Sequence, residues 1–407
     1  MAVGKGELPD ILPVAGFRLG TTSAGIKTPG RPDLVVMELR EGSRIAGVFT
    51  RNAFCAAPVQ IARQHLLAAP AAGKAIRYLL VNTGNANAGT GSPGRDDALA
   101  TCRRLAEQAG VESMQVLPFS TGVIGQPLPV EKITAALPGA LLKLSEKGWL
   151  EAAAGIMTTD TRPKAACRKV AIGGSAVTIS GIAKGAGMIR PDMATMLAYI
   201  ATDAGIDEDV LRQALNRAVD SSFNRITIDG DTSTNDSVVL VATGAGRKLS
   251  TGAELAAFQQ NLESLCIELA QAIVKDGEGA TKFVEVDVSS GANDQECLAV
   301  AYTIAESPLV KTALFAADPN WGRILAAVGR AGIQGLDVNE VRICLDDVLI
   351  AENGGLAPGY RESDAQAVMD RDEFAIRVDL ARGGCRQRVW TTDLSHDYIR
   401  INAEYRS

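Results

Sequence analysis

The segment Ile182-Ala183-Lys184-Gly185-Ala186-Gly187-Met188-Ile189-Arg190-Pro191-Asp192-Met193-Ala194-Thr195-Met196-Leu197-Ala198-Tyr199-Ile200 sets a threonine at the head of an apolar, strand-like run, behind a glycine pair and a Pro-Asp turn. Two readings fit these residues. In one, a loop simply enters a β-strand. In the other, the Thr195 hydroxyl, held at a strained turn, attacks the carbonyl of Ala194. Hydrolysis of the resulting ester breaks the chain and leaves a threonine with hydroxyl and α-amine on one residue. An α-amine with a pKa of about 7.7–8.0 is partly neutral at physiological pH and can activate the neighbouring hydroxyl. Such a base suits a chain with only two histidines, His65 and His396. The amine is tied up until the bond breaks, so the first step needs help from elsewhere.

Other chemistries find little support. G-x-S-x-G is absent, and His396 beside Asp397 is more economically a surface or core histidine than part of a Ser-His-Asp triad. Gly89-Thr90-Gly91-Ser92-Pro93-Gly94 matches a dinucleotide fingerprint. However, Asn82 to Ala88 separate it from the preceding strand, where the first glycine should directly follow. No phosphate-binding G-x-x-x-x-G-K-[ST] occurs and no paired-His spacing, so neither metal nor cofactor is expected. Asp229, Asp231 and Asp236 lack the EF-hand spacing and its closing glutamate; the polar run Asn224 to Asp236 is read as a hydrogen-bonded loop bracing the Thr195 segment.

A net charge of −6 with scattered basic residues argues against nucleic acid or an anionic membrane as partner. Seven cysteines, widely spaced and odd in number, fit a reducing compartment. With no secretory leader pattern and no apolar stretch long enough for a bilayer, the expected location is the cytoplasm.

The elements that must carry these residues alternate between strand and helix, which predicts an α/β fold. Ile76 to Val81 reads as a buried strand. A helix with Ser92 as N-cap and Pro93 as first residue runs to a C-cap at Gly110. Leu211, Leu215, Ala218 and Val219 mark one helix face. Thr251 and Glu254 form a capping-box pattern ahead of the stripe Leu255, Phe258, Leu262, Leu265, Leu269 and Ile273, closed by Gly277. Val284, Val286 and Val288 alternate with polar residues, as do Ile399, Ile401, Ala403 and Tyr405, which predicts two strands. The Gly/Ala-rich stretch Gly181 to Ala194 is the expected break in the working protein.

The central segment resembles the cleavage motif of the ornithine acetyltransferases, also called glutamate N-acetyltransferases of arginine biosynthesis. The likeness extends, in the family's order, through Ser120-Thr121-Gly122-Val123-Ile124-Gly125, Thr158-Thr159-Asp160-Thr161, Asn224 to Asp236, Lys275-Asp276-Gly277-Glu278-Gly279-Ala280-Thr281-Lys282 and Asp318-Pro319-Asn320-Trp321-Gly322-Arg323. Each motif alone is weak; together they are specific and span essentially the whole chain.

The resemblance implies a layered α/β/β/α fold with mixed sheets, shared with self-processed aminopeptidases. It implies cleavage between Ala194 and Thr195 into chains 1–194 and 195–407, associated as a heterotetramer of two copies of each. Thr195 is then the nucleophile, and Thr121 and Gly122 the oxyanion-hole pair. Thr158, Lys184, Thr195, Glu278, Asn402 and Ser407 are the substrate contacts. By spacing alone, Ser120-Thr121-Gly122 is a turn, and Lys184 and Glu278 are loop charges. The implied reaction is ping-pong transfer of acetyl from N-acetylornithine to glutamate, with acetyl-CoA open as a further donor. Water in place of glutamate would make the chain an amidase or aminopeptidase.

Overall fold

The computed structural model describes residues 2–4, 10–190 and 196–404. Ala194, Thr195 and Ser407, and with them the expected break, lie outside the described residues.

Three sheets organise the chain. The first has the spatial order Phe17–Thr22, Leu34–Leu39, Tyr78–Asn85 and Val116–Val123. The central sheet runs Arg44–Phe49, Ser237–Ala242, Leu197–Thr202, Ser175–Lys184 and Lys164–Ile172. Both are mixed. Tyr78–Asn85 runs parallel to Val116–Val123, and Leu197–Thr202 is parallel to Ser237–Ala242 but antiparallel to Ser175–Lys184.

Side-chain alternation explains why these sheets stack. In Leu197–Thr202, the side chains of Leu197, Tyr199 and Ala201 share a core with Val35, Met37, Leu79, Val81 and Phe119 of the first sheet. Ala198 and Ile200 point the other way, into a core with the helices Glu208–Ser221 and Gly252–Lys275. A strand buried on both faces must be largely apolar, and this one is, up to its closing Thr202. The outer face of the first sheet, through Leu34, Val36, Leu80 and Val116, is covered by the helices Gly91–Ala109 and Val130–Leu142. The result is the expected α/β/β/α stack.

The third sheet, in the order Gly355–Leu356, Val348–Glu352, Arg342–Leu345, Glu373–Asp379, Phe283–Gly291 and Cys385–Thr392, has its own core with helices between Asp294 and Met369. It joins the stack through Phe283 and Trp390, which enter the core of the central sheet's helical face.

Local signals hold where neighbours agree with them. Thr251 Oγ1 accepts from Glu254 N at 3.2 Å and the Glu254 carboxylate accepts from Thr251 N at 3.1 Å. Phe258, Leu262, Leu265, Leu269 and Ile273 are buried along that helix, each contributing about 1.5–3 kcal/mol. Gly110 is the left-handed C-cap, at φ 69°.

Four expectations need correction. The strand placed at Ile76 to Val81 is Tyr78–Asn85; its polar end stays extended because Asn82 and Thr83 pair with Ser120 and Thr121. The next helix starts at Gly91, one turn position before the anticipated cap. The Gly/Ala-rich stretch expected to be open from Gly181 is strand as far as Lys184. The residues 399–403, expected as a strand, belong to the helix His396–Ala403. Ser395 caps that helix by accepting from Tyr398 N at 3.3 Å, and five alternating residues cannot by themselves distinguish one period from the other. Tyr405 lies outside the described residues.

Candidate active site

Ser175–Lys184 and Leu197–Thr202 are neighbours whose register pairs Lys184 with Leu197. A tight hairpin could have joined them; instead the chain leaves at Gly185 and returns at Met196. Beside this long connection is a cavity of about 240 Å³, an amino-acid-sized space.

Thr121, Gly122, Thr158, Lys184, Glu278 and Asn402 all line it, although they come from two strands, one helix and two loops. So do Met196 and Leu197, the two residues that follow Thr195. Every described residue of the expected site is therefore in one place. The Asp318 to Arg323 motif is not: Asn320 caps the helix Trp321–Gly329 and Arg323 donates to Leu309 O at 2.8 Å, so its work is local.

Thr121 and Gly122 stand near the end of Val116–Val123. Gly122 has φ 135°, and a Cβ there would collide with the backbone of Gly84 and Asn85, so only glycine fits. Ser120-Thr121-Gly122, a turn by spacing alone, is thus strand, as is Lys184 at the end of Ser175–Lys184, and this strand end is held from two sides. Ser120 Oγ donates to Asn82 Oδ1 at 2.6 Å, and Asn235 Nδ2 donates to Ala86 O and Ser120 O at 2.6 and 2.9 Å. Lys184 Nζ donates to Thr121 Oγ1 at 3.2 Å, which leaves the threonine's own proton to point elsewhere.

Glu278 approaches Gly187 so closely that a side chain at 187 would strike its carboxylate. Asn402, on the helix His396–Ala403, donates to Glu278 Oε2 at 2.7 Å. Ser395 Oγ anchors the start of that helix to Gly279 O at 2.7 Å.

A buried charge cluster forms the floor. Asp160 accepts from Lys164 Nζ at 2.5 Å, Gly185 N at 2.7 Å and Thr158 N at 2.9 Å. Lys164 also donates to Asp276 Oδ2 at 2.6 Å, and Asp276 accepts from Thr161 N at 3.0 Å. The cluster thus fixes the backbone beside Thr158, Lys184 and Glu278 at once. Burial would push the Asp160 carboxyl up, but Lys164 and Lys184, with the two lysine and glycine hydrogen bonds, bring it far below the usual carboxylate range. Burial pulls Lys184 down, opposed chiefly by Asp160 and further by Asp236 and Glu278.

The connecting loop Asn224 to Asp236 does lie against the segment before the expected break. Ile228 N donates to Ile189 O at 2.7 Å, Thr232 Oγ1 to Arg190 O at 3.2 Å, and Asp229 accepts from Met188 N and Ile189 N at 2.6 and 2.8 Å. Just beyond that loop, Ser237 N donates to Met196 O at 2.9 Å, so both ends of the connection are held.

Sequence reasoning gave no individual role to Asp160, Lys164, Asp229 or Asp276. A lysine four residues from an aspartate is ordinary on a surface, and nothing in the spacing announces burial.

Among the described residues no three His, Cys, Asp or Glu side chains are grouped so as to hold a metal ion. All seven cysteines are free. No single helix among the described residues is long and apolar enough to cross a membrane. In the Gly89 to Gly94 loop, Asn87 fills the turn with its own side chain, donating to Gly94 O at 2.8 Å and accepting from Thr90 Oγ1 at 2.8 Å. A Cβ at Gly94 would meet Thr90 and Asn87, so that glycine serves the close packing of the loop on its own helix.

Comparison with known proteins places the chain in a family. The chain is 58% identical over 411 residues to an arginine biosynthesis bifunctional protein ArgJ of Pseudomonas fluorescens, and 57% identical to the protein so named in Pseudomonas syringae pv. tomato; both alignments cover all of each chain. A solved ArgJ structure from Bacillus halodurans is 42% identical and superposes with a TM-score of 0.49 over 52% of this chain and 100% of its own. The model of the ArgJ family matches residues 18–407, a span that includes every element of the cavity, and the chain belongs to that family.

Proposed function

We propose that this chain is an acetyltransferase of arginine biosynthesis that carries acetyl from N-acetylornithine to glutamate on Thr195. It frees that residue by breaking its own Ala194–Thr195 bond. The observation that carries the reading is the convergence of Thr121, Gly122, Thr158, Lys184, Glu278 and Asn402 on one cavity whose wall continues into Met196.

The Thr195 hydroxyl attacks the Ala194 carbonyl, and water resolves the ester, giving fragments 1–194 and 195–407. They stay together because the Ser175–Lys184 strand of one pairs along its length with the Leu197–Thr202 strand of the other. The fragments assemble as a heterotetramer in the cytoplasm.

In the mature site, the Thr195 amine takes the hydroxyl proton while the oxygen attacks the acetyl carbon of N-acetylornithine. The Thr121 hydroxyl, its oxygen already accepting from Lys184, and the Gly122 N–H face the developing oxyanion; one such donor is worth about 10²–10³ in rate. The bond to the ornithine nitrogen breaks, that nitrogen takes the proton, and acetyl remains as an ester on Thr195. The neutral amine of glutamate then attacks the ester, the bond from Thr195 Oγ to the acetyl carbon breaks, and the Thr195 amine passes the glutamate proton to Oγ as N-acetylglutamate leaves. Lys184 offers its ammonium to the substrate carboxylate and Glu278 its carboxylate to the substrate ammonium. Thr158, Asn402 and Ser407 complete the contacts.

Intact mass and N-terminal sequencing test this directly. Wild type yields a fragment beginning Thr-Met-Leu-Ala, and Thr195→Ala remains one chain with no acetyl exchange. An uncut wild-type chain with full activity overturns the reading. Ornithine release that ignores glutamate assigns the site to an amidase.

A further inference from the structure

Asp229 does not line the cavity, yet its carboxylate is joined to both structures that form the cavity's mouth. On one side is the turn Gly187–Ile189. Gly187 and Met188 wall the cavity, and Met188 is a non-glycine residue at φ 56°, in the left-handed region. Asp229 Oδ2 accepts from Met188 N at 2.6 Å, and Oδ1 accepts from Ile189 N at 2.8 Å. On the other side is the helix His396–Ala403. Tyr398 Oη donates to Asp229 Oδ2 at 3.2 Å, and one turn further on Asn402 reaches Glu278 in the cavity. The spacing from Tyr398 to Asn402 puts both on one helix face.

Surrounding groups favour this arrangement. Asp231 N adds a bond to Asp229 Oδ1 at 3.3 Å, and the buried Lys311 ammonium has Asp229 among its electrostatic neighbours. Asp229 raises the Tyr398 phenol well above its ordinary value, after the larger effect of burial, so the hydroxyl stays a donor.

We propose that Asp229 is a positioning residue that couples the Met188 turn to the C-terminal helix, so that the two sides of the substrate cavity are held in register by one carboxylate. Its part in the reaction rests on the function proposed above; the coupling itself does not. Without the carboxylate the left-handed turn loses two charge-assisted bonds, and the helix loses the tie that keeps Asn402 over Glu278.

Hydrogen exchange on the full protein separates these statements. In Asp229→Asn the Met188 and Ile189 amides exchange about 10–100-fold faster, the loss expected for charge-assisted bonds, and the amides of helix His396–Ala403 exchange several-fold faster as well. In Tyr398→Phe the helix alone loosens. Steady-state assays of the matured variants then show KM for N-acetylornithine raised about 3–10-fold in both, with kcat within about twofold. In the Asp229→Asn background, Asn402→Ala adds less than it does in wild type.

Helix exchange unchanged in both variants overturns the coupling whether or not the chain is an acetyltransferase. Unchanged KM in both, with wild type active and Thr195→Ala inactive, overturns the role in the reaction. If Asp229→Asn does not fold, Tyr398→Phe carries both readouts.

Discussion

The floor of the cavity and the outer face of the C-terminal sheet both pair a cation with aspartate, for opposite ends. Beneath the cavity, Lys164, Asp160 and Asp276 have side chains at most 1% exposed. On the C-terminal sheet, Arg377 pairs with Asp347 at 2.5 Å with side chains 45% and 95% exposed. The surface pair sits in water that would solvate either charge alone. The buried cluster has been stripped of water, and each carboxylate there recovers that loss only through several bonds in fixed directions. What the difference teaches is that buried charge is spent on position. Three backbone segments remote in sequence are pinned to one point, which hydrophobic packing, being non-directional, would not do.

This contrast can be broken in three ways, beginning with the largest effect. Lys164→Met leaves Asp160 and Asp276 buried without their cation and is expected to cost about 3–5 kcal/mol, read by urea denaturation, with acetyl transfer falling alongside. A loss below about 1 kcal/mol would make the cluster no different from a surface pair.

A pH titration of stability sharpens the comparison. Asp160 is held below its ordinary value of about 3.8 in the folded protein, so its stabilising contribution is fully present above that value. It is lost as pH falls further, toward the depressed folded value. Wild type and Arg377→Ala, which both keep the cluster, are therefore expected to share a loss of stability below about pH 4, and Lys164→Met to show less of it. Circular dichroism against pH for the three proteins checks the order. The smallest effect is Arg377→Ala itself, expected at about 0.2–1 kcal/mol and diminished by salt.

The same contrast explains what could be read in advance. The helix Gly252–Lys275 was legible because its cap, its stripe and its stop are all local and all agree. The strand Leu197–Thr202 was legible because a continuous apolar run has few other uses. The final helix was misread: residues Ile399 to Ala403 alternate, but the cap at Ser395 and the contacts of Tyr398 and Asn402 with Asp229 and Glu278 select the helical period. The third sheet, with its separate core, was not anticipated as a unit beyond its one alternating strand.

Within the site, the family resemblance named six of the residues that line the cavity, and residue chemistry suggested a hydroxyl that needs no histidine. Glycine at 122 and 187 was visible as a letter; its cause, the backbone of Gly84 on one side and the Glu278 carboxylate on the other, was not.

The amino-acid sequence by itself determined the period of several helices and strands, the family, and the list of side chains able to carry an acyl group. Those depend on neighbours within a few turns, or on motifs whose order survives without coordinates. Only the tertiary structure decided that Asp160, Lys164 and Asp276 are a buried foundation and that Asp229 joins two walls. Burial and direction are set by residues far apart in the chain, and a charge costs or contributes according to the water it has lost.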